Sequence, residues 1–166
     1  MKTAGRRKKK VDLSGKSSQE LREYYKEKML NYLSRRRTSQ ELRRYLARLE
    51  CPEEMIRELV EFSEEYHFSD DMEYARVFIR DSFHLRHRSR KRIRYDLLQK
   101  GISRDVIDLA MEEENPSDEE AAAELVRKKL IGPSDPQQLR KCGAYLQGQG
   151  FSYDIIERVL KNTESQ

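Results

Sequence analysis

Apolar residues return every three or four positions through most of the chain, and no stretch alternates apolar and polar in the manner of a strand. Leu42, Tyr45, Leu46 and Leu49 share one helical face, as do Ile93, Leu97 and the aliphatic stem of Lys100. This patterning predicts an all-α protein. Its helices are expected near residues 17–34, 38–49, 52–66, 70–84, 89–100, 103–113, 117–130, 136–149 and 152–161.

Capping chemistry sharpens those limits. Ser17 with Glu20, Thr38 with Glu41, Asp70 with Glu73 and Ser117 with Glu120 have the spacing that bonds a first helical turn in both directions. Ser89, Ser103 and Ser152 are further candidate caps, and Pro52, Pro116 and Pro136 fit first-turn positions. Gly101 and Gly150 each follow an apolar-periodic segment and suit the left-handed residue that ends a helix.

The stops and starts repeat. Leu97, Gly101, Ile102, Ser103, Val106 and Ile107 recur 49 residues further on as Leu146, Gly150, Phe151, Ser152, Ile155 and Ile156. A looser copy lies 51 residues earlier, as Leu46, Glu50, Cys51, Pro52, Met55 and Ile56, without the glycine. The expected organisation is therefore three tandem three-helix repeats in an elongated array, over residues 17–66, 67–115 and 116–166. Units this small bury little surface alone, so stacking on a neighbour adds stability. Residues 1–16 are basic, with almost no apolar period, and are expected to form a disordered arm.

Composition agrees with thin helical layers: of 166 residues, 36% are hydrophobic and 39% charged, too few apolar groups for one large core. No apolar run approaches the roughly 18 residues of a membrane span. The amino-terminal run Arg6-Arg7-Lys8-Lys9-Lys10 has no apolar stretch behind it of the kind a secretory signal needs. Cys51 and Cys142 lie far apart with no ligand-spaced partner, which suggests structural thiols, no metal and a reducing, cytoplasmic setting. No glycine loop of the nucleotide-hydrolysing kind is present. His84 and His87 share a face but lack further ligands, and the acids are too numerous to single out a catalytic pair. The expectation is a monomeric binding protein that uses no cofactor and is not an enzyme.

The net charge of +4 conceals strong local asymmetry. The densest basic segment carries Arg86, Arg88, Arg90, Lys91, Arg92 and Arg94; a second patch carries Arg35, Arg36, Arg37, Arg43 and Arg44. Any single run of this kind is ordinarily a solvated helix face. Arg90, Arg94 and the positive end of the helix beginning at Ser89 are nevertheless placed to meet one anionic partner, either nucleic acid or an acidic protein surface. Tyr95 beside them is a base-stacking candidate or an ordinary surface or core tyrosine.

Four ordered segments resemble the signatures of the bacterial RecX family. They are Arg35-x-x-Thr38-x-x-Glu41-Leu42-x-x-x-Leu46; Phe68-Ser-Asp70-Asp71-x-x-Tyr74-Ala75-x-x-Phe78-Ile79; Ile93-x-x-x-Leu97-x-x-Lys100-Gly101-Ile102-Ser103; and Gly150-Phe151-Ser152-x-Asp154-Ile155-Ile156. Together they cover roughly residues 25–160. Ser89 and Glu50 depart from the pattern, each standing where the family commonly has glycine. The resemblance implies a protein that binds along the groove of the RecA–DNA filament and modulates RecA in recombination and DNA repair, inhibiting strand exchange and ATP hydrolysis. The alternative left open by the residues themselves is a helical nucleic-acid-binding module acting without RecA, through single- or double-stranded DNA.

Overall fold

The computed structural model describes residues 13–130 and 135–164. The described residues form nine helices and no strand: α1 (Ser18–Leu33), α2 (Ser39–Arg48), α3 (Glu53–Glu65), α4 (Asp71–His84), α5 (Arg90–Gln99), α6 (Arg104–Glu114), α7 (Asp118–Lys129), α8 (Pro136–Gly148) and α9 (Tyr153–Glu164). The basic run at residues 6–10 lies outside the described residues. Of the expected arm, Leu13 is described and packs against the first apolar cluster, with a turn closed by the Lys16 amide donating to the Leu13 carbonyl.

The caps explain where the helices begin. Thr38 accepts the Glu41 amide while Glu41 accepts the Thr38 amide, and Ser17 and Glu20 repeat the exchange. At Asp70 and Ser117 the cap accepts the amide three residues on, without a reciprocal bond. Two of the prolines sit earlier than the spacing predicts: Pro52 occupies the cap of α3 itself, and Pro116 precedes the Ser117 cap of α7. Pro136 does open α8.

Three separate apolar clusters follow, one per set of three helices. Tyr25, Met29, Leu42, Leu46, Ile56 and Leu59 lie in the first; Ala75, Ile79, Ile93, Leu97, Ile107 and Met111 in the second; Ala122, Val126, Cys142, Leu146, Phe151 and Ile156 in the third. The main helix pairings, α2 with α3, α4 with α6 and α7 with α9, all stay inside one set. Only a thin connection spans the second and third cores, where Phe83 packs against both. The chain is an elongated array of three tandem three-helix units with short-range cores.

Neighbouring units meet through the ends of their second helices, and the two joints are built alike. At the first, Thr38 Oγ1 donates to the Lys100 carbonyl at 2.8 Å, joining the start of α2 to the end of α5. At the second, Ser89 Oγ donates to the Gln149 carbonyl at 2.8 Å, joining the start of α5 to the end of α8. Thr38 and Ser89 are fully buried. The first amide of each helix then donates to an aspartate at the start of the next unit: Ser39 to Asp71 at 2.8 Å, and Arg90 to Asp118 at 2.6 Å. Positive and negative helix ends thus meet head to tail, which is favourable for their dipoles.

The array ends differently at the first unit. Glu50 occupies the position of Gly101 and Gly150, and all three are left-handed, with φ of 60, 85 and 90°. Among the described residues no unit packs on the end of α2; there the Tyr25 hydroxyl lies 3.2 and 3.3 Å from the Leu49 and Glu50 carbonyls and donates to that pair. This supplies the orphan carbonyl groups with a partner from within the unit.

Candidate interaction surface

The six residues of the dense basic segment do not form one open cluster. Arg88 pairs with Asp96, and Arg92 reaches the other oxygen of the same carboxylate at 3.2 Å. Arg94 pairs with Asp108 of α6. Arg90 is half-buried and donates through Nη1 to the Pro116 carbonyl at 3.0 Å. Arg86 and Lys91 are exposed and take part in no ion pair among the described residues.

The expectation that Arg90, Arg94 and the positive end of α5 face one partner is therefore corrected. That helix end lies against the end of α8 and Asp118, and its Arg90 and Arg92 amides are already satisfied within the chain. Arg90 holds the second joint instead of projecting from it. Arg92 and Arg94 keep side-chain exposures of 46 and 38%. Such surface pairs contribute about 0–1 kcal/mol, so an incoming anion can compete for these two side chains. Tyr95 is exposed, and the Arg92 guanidinium lies 5.8 Å from its ring centre, which makes it a surface aromatic and not a core one.

The second patch divides in the same manner. Arg35 and Arg36 are exposed in the link between α1 and α2, and Arg44 is exposed on α2. Arg43 approaches Glu53 at 3.5 Å. Arg37 turns inward, with its guanidinium 5.0 Å from the Tyr32 ring and its Nε buried without a hydrogen-bond partner. The cations open to an anion are thus Arg35, Arg36, Arg44, Arg86 and Lys91, with Arg92 and Arg94 recruitable. The second helix of the third unit continues the series with exposed Arg140 and Lys141, 49 residues beyond Lys91 and Arg92.

Titration follows the same architecture. Burial raises the carboxyls of Asp71 and Asp118 above their ordinary value, opposed in each case by the amide bond from Ser39 or Arg90. Burial also lowers the His87 imidazole, aided by the Lys128 ammonium, whose Nζ lies 2.6 Å from His87 Nε2. That ring is committed to a neighbouring side chain, and among the described residues no group of three or more His, Cys, Asp or Glu could hold a metal. Cys51 and Cys142 are buried and unpaired; burial, joined by the nearby Glu53 charge, pushes the Cys51 thiol up to about 11, so it resists becoming a thiolate. No described helix is long and apolar enough to cross a membrane.

Residue type and spacing do not single out Thr38, Ser89, Asp71 and Asp118 as joint residues, because their partners lie 62, 60, 32 and 28 positions away. The only available signal is that Thr38 and Ser89 are themselves 51 residues apart, on the repeat period.

Comparison with known proteins agrees with this architecture. Models of the first, second and third three-helix domains of RecX match residues 26–62, 70–111 and 117–160. A regulatory protein RecX from Clostridium acetobutylicum is 31% identical over 152 residues, spanning 86% of this chain and 70% of that protein. One from Vibrio campbellii is 34% identical, over 81% of this chain and 88% of its own. The chain spans 53% of the two Clostridium botulinum relatives that it matches. Among solved structures, that of RecX from Lactobacillus salivarius superposes with a TM-score of 0.77 at 24% identity, covering 89% of this chain and 99% of the other. Another regulatory protein RecX superposes at 0.73 with 26% identity, over 84% and 72% of the two chains. With three ordered domain matches and relatives above 30% identity covered over 70 and 88% of their length, the chain belongs to the RecX family of regulatory proteins.

Proposed function

We propose that this protein binds the RecA–DNA filament and restrains RecA, lowering its ATP hydrolysis and strand exchange during recombination and DNA repair. The observation that carries this reading is the repetition of one joint between successive units. Three similar units joined in the same way present their second helices at regular steps, a geometry suited to a partner that is itself a row of identical subunits. Family membership points to RecA as that partner. The exposed cations Arg35, Arg36, Arg44, Arg86 and Lys91 supply attraction toward filament carboxylates or DNA phosphates. A bound protein restrains a filament only by its difference in affinity for two filament states, so the spacing of the units sets which state is favoured.

The test is ATP hydrolysis by RecA assembled on single-stranded DNA, followed as the purified chain is added at low and moderate salt. The expected result is a saturable fall in the hydrolysis rate. An unchanged rate at saturating protein under both conditions would sink the reading. The same cations favour a second reading, a nucleic-acid-binding module that needs no RecA. Sequence-selective DNA binding in the absence of RecA would support it, whereas binding that merely weakens with salt reports phosphate contact.

A further inference from the structure

The second and third helices of each unit lie side by side, and the middle and third units differ at one position of the seam between them. In the middle unit Arg94 of α5 bridges that seam to Asp108 of α6. The corresponding residue of the third unit, 49 positions on, is Gly143. Glu157, which stands in the place of Asp108, pairs with Lys161 of its own helix at 2.6 Å. With no ion pair crossing it among the described residues, the seam between α8 and α9 holds a groove of about 520 Å³. Leu139, Gly143, Ala144, Phe151, Ile156 and Leu160 make its lining mainly apolar, and Gln147 and Tyr153 add polar groups to it.

Packing does not require the glycine. A Cβ placed on Gly143 would meet Leu160 Cδ1 at 3.5 Å and Ile156 Cγ2 at 3.7 Å, which is ordinary contact. Glycine in a helix interior weakens the helix relative to alanine, so this position trades local stability for space. The groove is also charged on its rim. Of the charged residues that line it, Glu157 is engaged by Lys161 at 2.6 Å, and Arg140 takes part in no ion pair among the described residues. The uncompensated rim charge is positive.

A pocket for a small polar ligand converges hydrogen-bonding groups on its occupant. Most of this lining is apolar, and of its charged side chains Glu157 and Lys161 are already paired with each other. We propose that the groove receives one amphipathic helix of a partner protein, which lays an apolar ridge along Leu139, Ala144, Phe151 and Leu160 and sets a carboxylate against Arg140. The assignment is independent of RecA being the partner in question.

The probe is a fluorescein-labelled helical peptide of about 18 residues, with leucines at i, i+3, i+4 and i+7 and glutamates flanking the ridge. It is titrated against the full chain by anisotropy beside a counterpart in which lysines replace the glutamates. The glutamate peptide is expected to saturate the wild-type chain and to bind at least about tenfold more tightly than the lysine peptide. Gly143→Arg rebuilds the side chain present at Arg94, opposite Glu157, and is expected to weaken binding at least about tenfold. Ala144→Arg, on the exposed wall, is expected to do the same without disturbing buried packing. Absence of saturation by the glutamate peptide, or equal binding of the two peptides to the wild-type chain, overturns the proposal, and that comparison needs no variant to fold. Wild-type binding by both variants, with unchanged thermal melts, overturns it equally.

Discussion

Ser89 and Gly150 leave no room between them for another atom. A Cβ built on Gly150 would lie 2.8 Å from Ser89 Oγ, at a residue whose φ is already +90°. The hydroxyl is in that place because it caps α5 and donates to the Gln149 carbonyl at the same time. Gly150→Ala therefore strains both backbone and joint, and is expected to lower stability by about 1–3 kcal/mol in urea melts. The matching position of the first unit, Glu50, is left-handed too and carries a full side chain, with no second three-helix unit packed on it among the described residues. Glu50→Gly is expected to change stability by less than about 1 kcal/mol. Equal losses at the two sites would contradict the joint.

The joint hydroxyls are separable from ordinary caps. Thr38→Val and Ser89→Ala each remove a buried donor to a carbonyl of the next unit as well as the cap acceptor, at an expected cost of about 2–3 kcal/mol. Ser103 caps α6 in an exposed position, so Ser103→Ala is expected to cost about 1 kcal/mol. Denaturant melts of the three variants rank them. If the Ser103 variant proved as unstable as the other two, the inter-unit bonds would contribute nothing.

Asp71 has a pH signature. Burial raises its carboxyl above the ordinary value of 3.8, so the folded chain holds that proton more tightly than the unfolded chain. From the unfolded value up to the raised folded value, this group's contribution to stability falls as pH rises. Asp71→Asn keeps an oxygen to accept the Ser39 amide and cannot ionise, so the slope over that window should flatten relative to wild type. Asp71→Ala removes the acceptor and should be less stable at every pH, by about 1–2 kcal/mol. Melting curves taken at closely spaced pH values between 3.5 and 6, a range set by the roughly one-unit spread of carboxyl values in folded proteins, check both outcomes.

The basic residues separate into joint and surface roles. Arg86→Glu with Lys91→Glu is expected to leave the melt unchanged and to weaken both RecA inhibition and DNA binding, with a shallower salt dependence. Arg90→Glu should lower the melting temperature, because it removes the bond to the Pro116 carbonyl and places a carboxylate near Asp118. Inhibition and DNA binding fully retained by the Arg86 and Lys91 double variant would remove that surface from the mechanism.

Much of the helical framework can be read along the chain, because helix limits and core faces are set by neighbours three or four residues apart. The capping box at Thr38 and Glu41, the left-handed glycines at 101 and 150, and the buried faces of Leu42, Leu46, Ile93 and Leu97 are all of this local kind. The interaction surface is less legible. Arg90 and Lys91 are adjacent cations in one basic run, yet one holds a joint and the other faces solvent.

By itself the amino-acid sequence determined the all-helical class, the period of the repeat and the family, since hydrophobic spacing and end-capping act within a single turn. Tertiary structure alone decided which charges remain exposed, how the units abut and where a groove opens. Those outcomes depend on partners such as Lys100 for Thr38 and Gln149 for Ser89, brought together from 62 and 60 residues away by the packing of whole helices.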